Sequence, residues 1–164
     1  MRYRFLDRVP AIDAAAGTIT AVKNFPRTAD YYDGTFRGES EVPGSLILEA
    51  VAATGSFLLL VRSGYTALGL LLKVSRAKFL HPLRAGERLR TDARITGIQG
   101  DLGAIVAPEF PIAEVHASAE SESGAVVTSV MLFACLPMPL IFGERHQSVL
   151  DDSLELLGLR DVRP

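Results

Sequence analysis

Asp33–Thr54 reads DGTFRGESEVPGSLILEAVAAT, a glycine-punctuated turn that passes through Pro43-Gly44 into an apolar segment. Proline is tolerated in a first helical turn because its missing N–H would have no intrahelical partner there. A helix is therefore expected from about Pro43 to Arg62, with Gly64 placed to end it. From Leu46 to Leu60 it carries a single ionisable group, Glu49. A helix this apolar needs cover all round, and a carboxylate under such cover is costly because desolvation disfavours its charged form. Glu49 is thus the first candidate for chemistry.

Outward from this helix the pattern changes to strands. Arg8 to Asp13 and Thr18 to Lys23 are rich in β-branched residues and separated by AAAG, which reads as a hairpin. Pro26 to Arg37 reads as loop, with Asp33-Gly34 as a turn signal. After Gly64, strands are expected over Ala67–Leu80, Arg88–Ile98, Gly103–Ala107, Ile112–Glu120 and Ala125–Leu136, with turns at Leu83–Gly86 and Ser121–Gly124. In the second of these strands Leu89, Thr91, Ala93 and Ile95 share one face and Arg88, Arg90 and Arg94 the other. The fold class is α+β: one buried helix wrapped by a curved antiparallel sheet, its cover completed by a second subunit. Residues 1–138 read as one domain, and 139–164 as a C-terminal extension with a short helix over Ser148–Leu157.

The 164 residues suffice for one domain with a sizeable core. A formal charge of −2 gives no broad attraction to nucleic acid or anionic membrane. Arg84, Arg88, Arg90 and Arg94 cluster in sequence, and their plain reading is a solvated strand edge. Cys135 is the one cysteine, so neither an internal disulfide nor a cysteine metal cluster can form. The N-terminus lacks the apolar run of a signal peptide. The apolar run Leu46–Val61 falls short of the ~20 residues that span a bilayer, so a cytoplasmic chain is expected.

The residues resemble the β-hydroxyacyl-acyl carrier protein dehydratases of the FabA/FabZ type, which have the dimeric hotdog fold. The family motif G-H-F-x-G-x-P-V-M-P-G, followed after four residues by an acid, is matched by Gly34-Thr35-Phe36-Arg37-Gly38-Glu39-Ser40-Glu41-Val42-Pro43-Gly44 and then Glu49. FLDRVPAID with ITAVKNF is similar to the family's first hairpin, and KVSRAKFLHPLRAGERLR to its middle strands. The resemblance covers roughly Tyr3 to Leu136.

It implies dehydration of a 3-hydroxyacyl thioester, carried on acyl carrier protein or CoA, without metal or redox cofactor. A base takes the C2 proton and an acid assists the departing hydroxyl. In the family these are a histidine and a carboxyl group from opposite subunits. The backbone N–H at the helix start, here that of Gly44, polarises the thioester carbonyl. Phe36, Gly38, Val42 and Pro43 fall on the substrate-binding loop by the same match.

Thr35 stands at the histidine position, and a threonine hydroxyl is no base near neutral pH. His81 before Pro82, His116 in a strand and His146 in the tail are alternative histidines, each more simply a surface or structural residue. Asp33 is more simply a turn residue, and Tyr31 and Tyr32 pack around the loop. Four functions fit. The first is a dehydratase-like subunit, impaired alone, acting as a homodimer or beside a histidine-bearing homologue. The others are a dehydratase using another base, a thioesterase in which Glu49 activates water, and a non-catalytic acyl-binding scaffold.

Overall fold

The computed structural model describes residues 5–28, 41–102 and 109–159. The first hairpin is β1 (Arg8–Asp13) and β2 (Thr18–Asn24), its turn fixed by the Ala16 N–H donating to Asp13 Oδ1 at 2.8 Å. The long helix α1 spans Gly44–Arg62. Then come β3 (Ala67–Phe79), β4 (Arg88–Gln99), β5 (Ile112–Ser121) and β6 (Gly124–Pro137). They form one antiparallel sheet in the order β1-β2-β4-β5-β6-β3. One helix laid against such a sheet is the hotdog arrangement expected from the sequence. The strand expected at Gly103–Ala107 and the loop from residue 29 lie outside the described residues.

Alternation decides which side of the sheet meets the helix. Leu89, Thr91 and Ala93 of β4 are buried while Arg88, Arg90 and Arg94 are exposed, as their spacing predicts. Val115 and Ala117 of β5, and Met131, Phe133 and Cys135 of β6, extend the same apolar floor. Gly55 lets α1 settle onto it: a Cβ there would stand 3.0 Å from Phe133 Cζ. Gly64 ends the helix with φ +65°, a conformation that costs glycine little.

After β6 the chain forms α2 (Met138–Phe142), a 3-10 turn (Gly143–Arg145) and α3 (His146–Leu157). The last begins two residues before the expected Ser148 and seats Leu150 and Leu154 in the core. By length and composition α1 could cross a membrane, but over half of it is buried against the rest of this chain, as in a core helix.

Glu49 departs from expectation. It is exposed on α1, as is Ser45 one turn before it. The sheet covers one side of the helix, and the N-terminal segment with α3 closes over the other side only from about Ala53 onward. Among the described residues, Ser45 and Glu49 are thereby left exposed on the first turns while Ile47 and Ala50 face the core.

Cys135 is 1% exposed, and burial pushes its thiol up to about 11 from 9.0. Native protein at pH 8 is therefore expected to resist Ellman's reagent until it unfolds; reaction at the unfolded rate would contradict this burial. The sign for stability follows. Above pH 9 the unfolded thiol ionises while the folded one keeps its proton, so this group's contribution is lost as pH rises toward 11.

Candidate active site at the head of the central helix

The segment entering α1 is pinned on both sides. Val42 N–H donates to Leu83 O at 2.8 Å, and Glu41 forms an isolated antiparallel bridge with Arg84. Beneath it, Glu87 accepts from Ser123 Oγ and from the Arg84 N–H at 2.7 Å. Those bonds, the Ser123 one foremost, hold its carboxyl below the usual carboxylate range. Pro43 occupies the N-cap, where it makes no side-chain cap, and the first turn contains no acid. The helix head therefore keeps its uncompensated N–H groups and the positive end of its dipole.

This head opens into a cleft of about 360 Å³, lined by Glu41, Val42, Gly44, Ile47, Phe79, Leu80, His81 and Pro82. The ring of Phe79 stands so close over Gly44 that an added Cβ would lie 3.0 Å from its Cζ. A side chain here would press on the Phe79 ring, which would have to give by a few tenths of an ångström. Unpaired backbone N–H groups at a helix head suit a carbonyl oxygen that gains negative charge during reaction, although the Glu41 carboxylate shares this cleft.

Val42 and Gly44 share this cleft, and Pro43 sits between them as the cap. Glu49 is not on its wall. Thr35, Phe36 and Gly38 lie outside the described residues, as do Tyr31, Tyr32 and Asp33. Of the three histidines, His81 lines the cleft and is exposed. His116 instead lies 3.0 Å from Glu114 on the outer face of the sheet, and His146 Nδ1 lies 2.9 Å from Gly143 O. A bond from Thr96, then one from His116, lowers the Glu114 carboxyl.

Phe79, Leu80 and Ile47 are site residues that the motif alone does not single out. Their signal is two adjacent exposed apolar residues, Phe79 and Leu80, where β3 ends and alternation stops.

A wider hollow of about 520 Å³ lies on the outer face of the sheet, around Asp92, Arg94 and His116. Within its lining Thr20 donates to Asp92, and beside it Arg90 lies 3.4 Å from Asp92 and 3.9 Å from Glu120. The arginine cluster is accordingly a solvated face. Among the described residues, no three of His, Cys, Asp and Glu gather as a metal site would require.

Residues 1–113 match the FabA-like domain family. A 3-hydroxyacyl-[acyl-carrier-protein] dehydratase FabZ from Protochlamydia amoebophila is 35% identical over 121 residues, covering 73% of this chain and 79% of that protein. Among solved structures, a phenylacetic acid degradation-related protein from Ralstonia eutropha superposes with TM-score 0.59 at 18% identity, over 77% of this chain and 82% of its own. A Streptococcus mutans protein bound to acetyl CoA does so with TM-score 0.58 at 12% identity, over 84% and 94%. At such identities these two speak to the fold alone.

Proposed function

The chain belongs to the FabA-like domain family, and within it we propose that this protein is a dehydratase-like subunit, impaired alone because Thr35 replaces the base. It binds the acyl thioester of a carrier protein or CoA in the cytoplasm. The observation that carries this reading is the head of α1, without a side-chain cap, opening at Gly44 into a cleft lined by Ile47, Phe79 and Leu80 together with Glu41 and His81. There the thioester carbonyl accepts from the helix N–H groups, and Phe36, Gly38, Val42 and Pro43 form the loop that holds the acyl group. Glu49 serves as the acid toward the 3-hydroxyl. Its exposure in the single chain supports a role at a subunit boundary, where a second chain would complete the site.

The assay is hydration of an enoyl thioester, followed by loss of its ultraviolet absorbance. The chain alone is expected to be slow. Mixed with a histidine-bearing homologue it should form an active complex whose activity falls with Glu49→Ala, and an inactive mixed complex would sink the composite site. Release of free thiol from acyl-CoA would favour a thioesterase instead. One observation favours a second reading, in which His81 is the base, since it shares the cleft with Gly44. Steady turnover by the wild type alone, lost in His81→Gln, decides for it.

The same reading requires a dimer, and β3 supplies its edge. This strand is 13 residues long, ends the sheet, and leaves Leu70, Leu71 and Leu72 at 40%, 42% and 57% exposure. A long apolar edge with unpaired backbone groups is a template for pairing with another chain. Wild type is expected to run as a dimer in size-exclusion chromatography with light scattering, and Leu71→Lys/Leu72→Lys as a monomer. A wild-type monomer would contradict the pairing.

A further inference from the structure

Where the motif G-H-F-x-G-x-P-V-M-P-G has valine, this chain has Glu41. The same chain has Thr35 in place of the motif's histidine. Of the residues lining the cleft at the head of α1, Glu41 and His81 are the two whose side chains carry a basic atom. His81 is exposed, whereas Glu41 is half-buried. The backbone at Glu41 is fixed by its bridge to Arg84 and by the bond from the Val42 N–H to Leu83 O at 2.8 Å. Among the described residues, no donor or cation engages the Glu41 carboxylate. The group thus gives up part of its hydration and gains no hydrogen bond in return, a cost that a structural role does not explain.

We infer that Glu41 is the base for the C2 proton when the chain acts alone, and that it carries the slow turnover expected above. The inference rests on the acyl-thioester reading. C2 is bonded to the carbonyl carbon whose oxygen the helix N–H groups would hold, so its base must stand beside those groups. Glu41 precedes Gly44 by three residues and lines the same cleft. A carboxylate there does not oppose the oxyanion. In dehydration it takes the C2 proton and becomes neutral as negative charge builds on the carbonyl oxygen, so charge moves toward the helix head and does not accumulate. The C2–H electron pair goes on to form the C2=C3 double bond, and the C3–O bond breaks with its pair on the departing oxygen. That oxygen takes a proton from Glu49 of a second chain and leaves as water. Glu41 is left protonated and Glu49 ionised, and proton exchange with solvent resets both. A carboxylate is ordinarily a weaker base than imidazole, which fits a slow reaction.

The test isolates the C2 step. Hexanoyl-CoA has no 3-hydroxyl, so in heavy water its C2 protons exchange for deuterium while nothing leaves, and mass spectrometry counts the exchange. Wild type is expected to exchange above the buffer rate. Glu41→Gln, similar in shape but without the basic oxygen, should lose about 10²-fold or fall to the buffer rate, and Glu41→Asp should keep part of it. Thermal melts followed by circular dichroism establish that each variant is folded. In the Thr35→His background Glu41→Gln should cost far less, because the imidazole takes the step over. An equal cost in both backgrounds would give Glu41 a merely structural part and overturn the inference. Exchange that survives Glu41→Gln overturns it too, and its loss in His81→Gln instead hands the step to that histidine. Equilibrium dialysis of hexanoyl-CoA against wild type separates two failures. Binding without exchange overturns Glu41 as the base and leaves the acyl-thioester reading standing, while absence of binding removes both.

Discussion

Thr35→His is expected to raise enoyl-thioester hydration by about 10²–10⁴-fold over wild type, the usual contribution of a positioned general base. The expectation follows from what the loop offers chemically. Removing or delivering a proton at C2 needs a group whose pKa lies near the working pH, and imidazole is such a group while a threonine hydroxyl is not. The rest of the machinery is argued to be in place: the head of α1 to polarise the carbonyl, and Glu49 to protonate the leaving oxygen. Glu49→Ala made in the Thr35→His background should therefore remove most of the gain. The regained activity should also carry the titration of an added imidazole on its basic side, with the rate falling as pH rises through about 6.5, because in hydration the imidazolium delivers the C2 proton. If wild type already matches Thr35→His, the base is elsewhere, and His81→Gln becomes the decisive variant. If Thr35→His stays silent while its fold is intact, the missing base is not what limits this chain.

The sequence makes some of this arrangement readable and hides the rest for physical reasons. β4 is legible because its polar and apolar residues alternate, so the pattern names both the strand and the face that meets α1. The helix is legible from Pro43-Gly44 at one end and Gly64 at the other. Glu49 misleads: an apolar helix implies cover all round, but the side left open depends on how far the sheet and tail reach. Nothing local encodes that reach. The cleft is half legible, because Val42 and Gly44 belong to a contiguous motif. Phe79 and His81 arrive from a strand end more than thirty residues away and meet Gly44 through the Val42–Leu83 hydrogen bond, the Glu41–Arg84 bridge and the sheet register behind them.

Phe133→Ala is expected to cost about 3–5 kcal/mol of stability, the range for truncating a fully buried phenylalanine. With roughly 2–4 °C lost per kcal/mol for a chain of this size, the melting temperature should fall by about 6–20 °C. Phe133 is 0% exposed and faces α1 from the middle of β6. Its ring fills space that Gly55 of α1 leaves free, where a Cβ would lie 3.0 Å from its Cζ, and it passes 3.4 Å from the Cβ position of Gly69 of β3, whose open space Leu59 takes first at 2.7 Å. Collapse into the vacancy is poorly served, because neither glycine has a side chain to move inward and α1 is held by its packing along the whole sheet. The cavity term should therefore stay near its full value rather than relax away. Phe133→Leu, which keeps most of the volume, should cost clearly less, and the difference between the two variants isolates the cavity from the loss of the ring. A Phe133→Ala variant that melts within a degree or two of wild type would mean that α1 does not rest on this ring. Because the head of α1 and Glu49 are positioned by that same seating, the destabilised variant should also lose acyl binding as it warms, at the temperature where its core gives way.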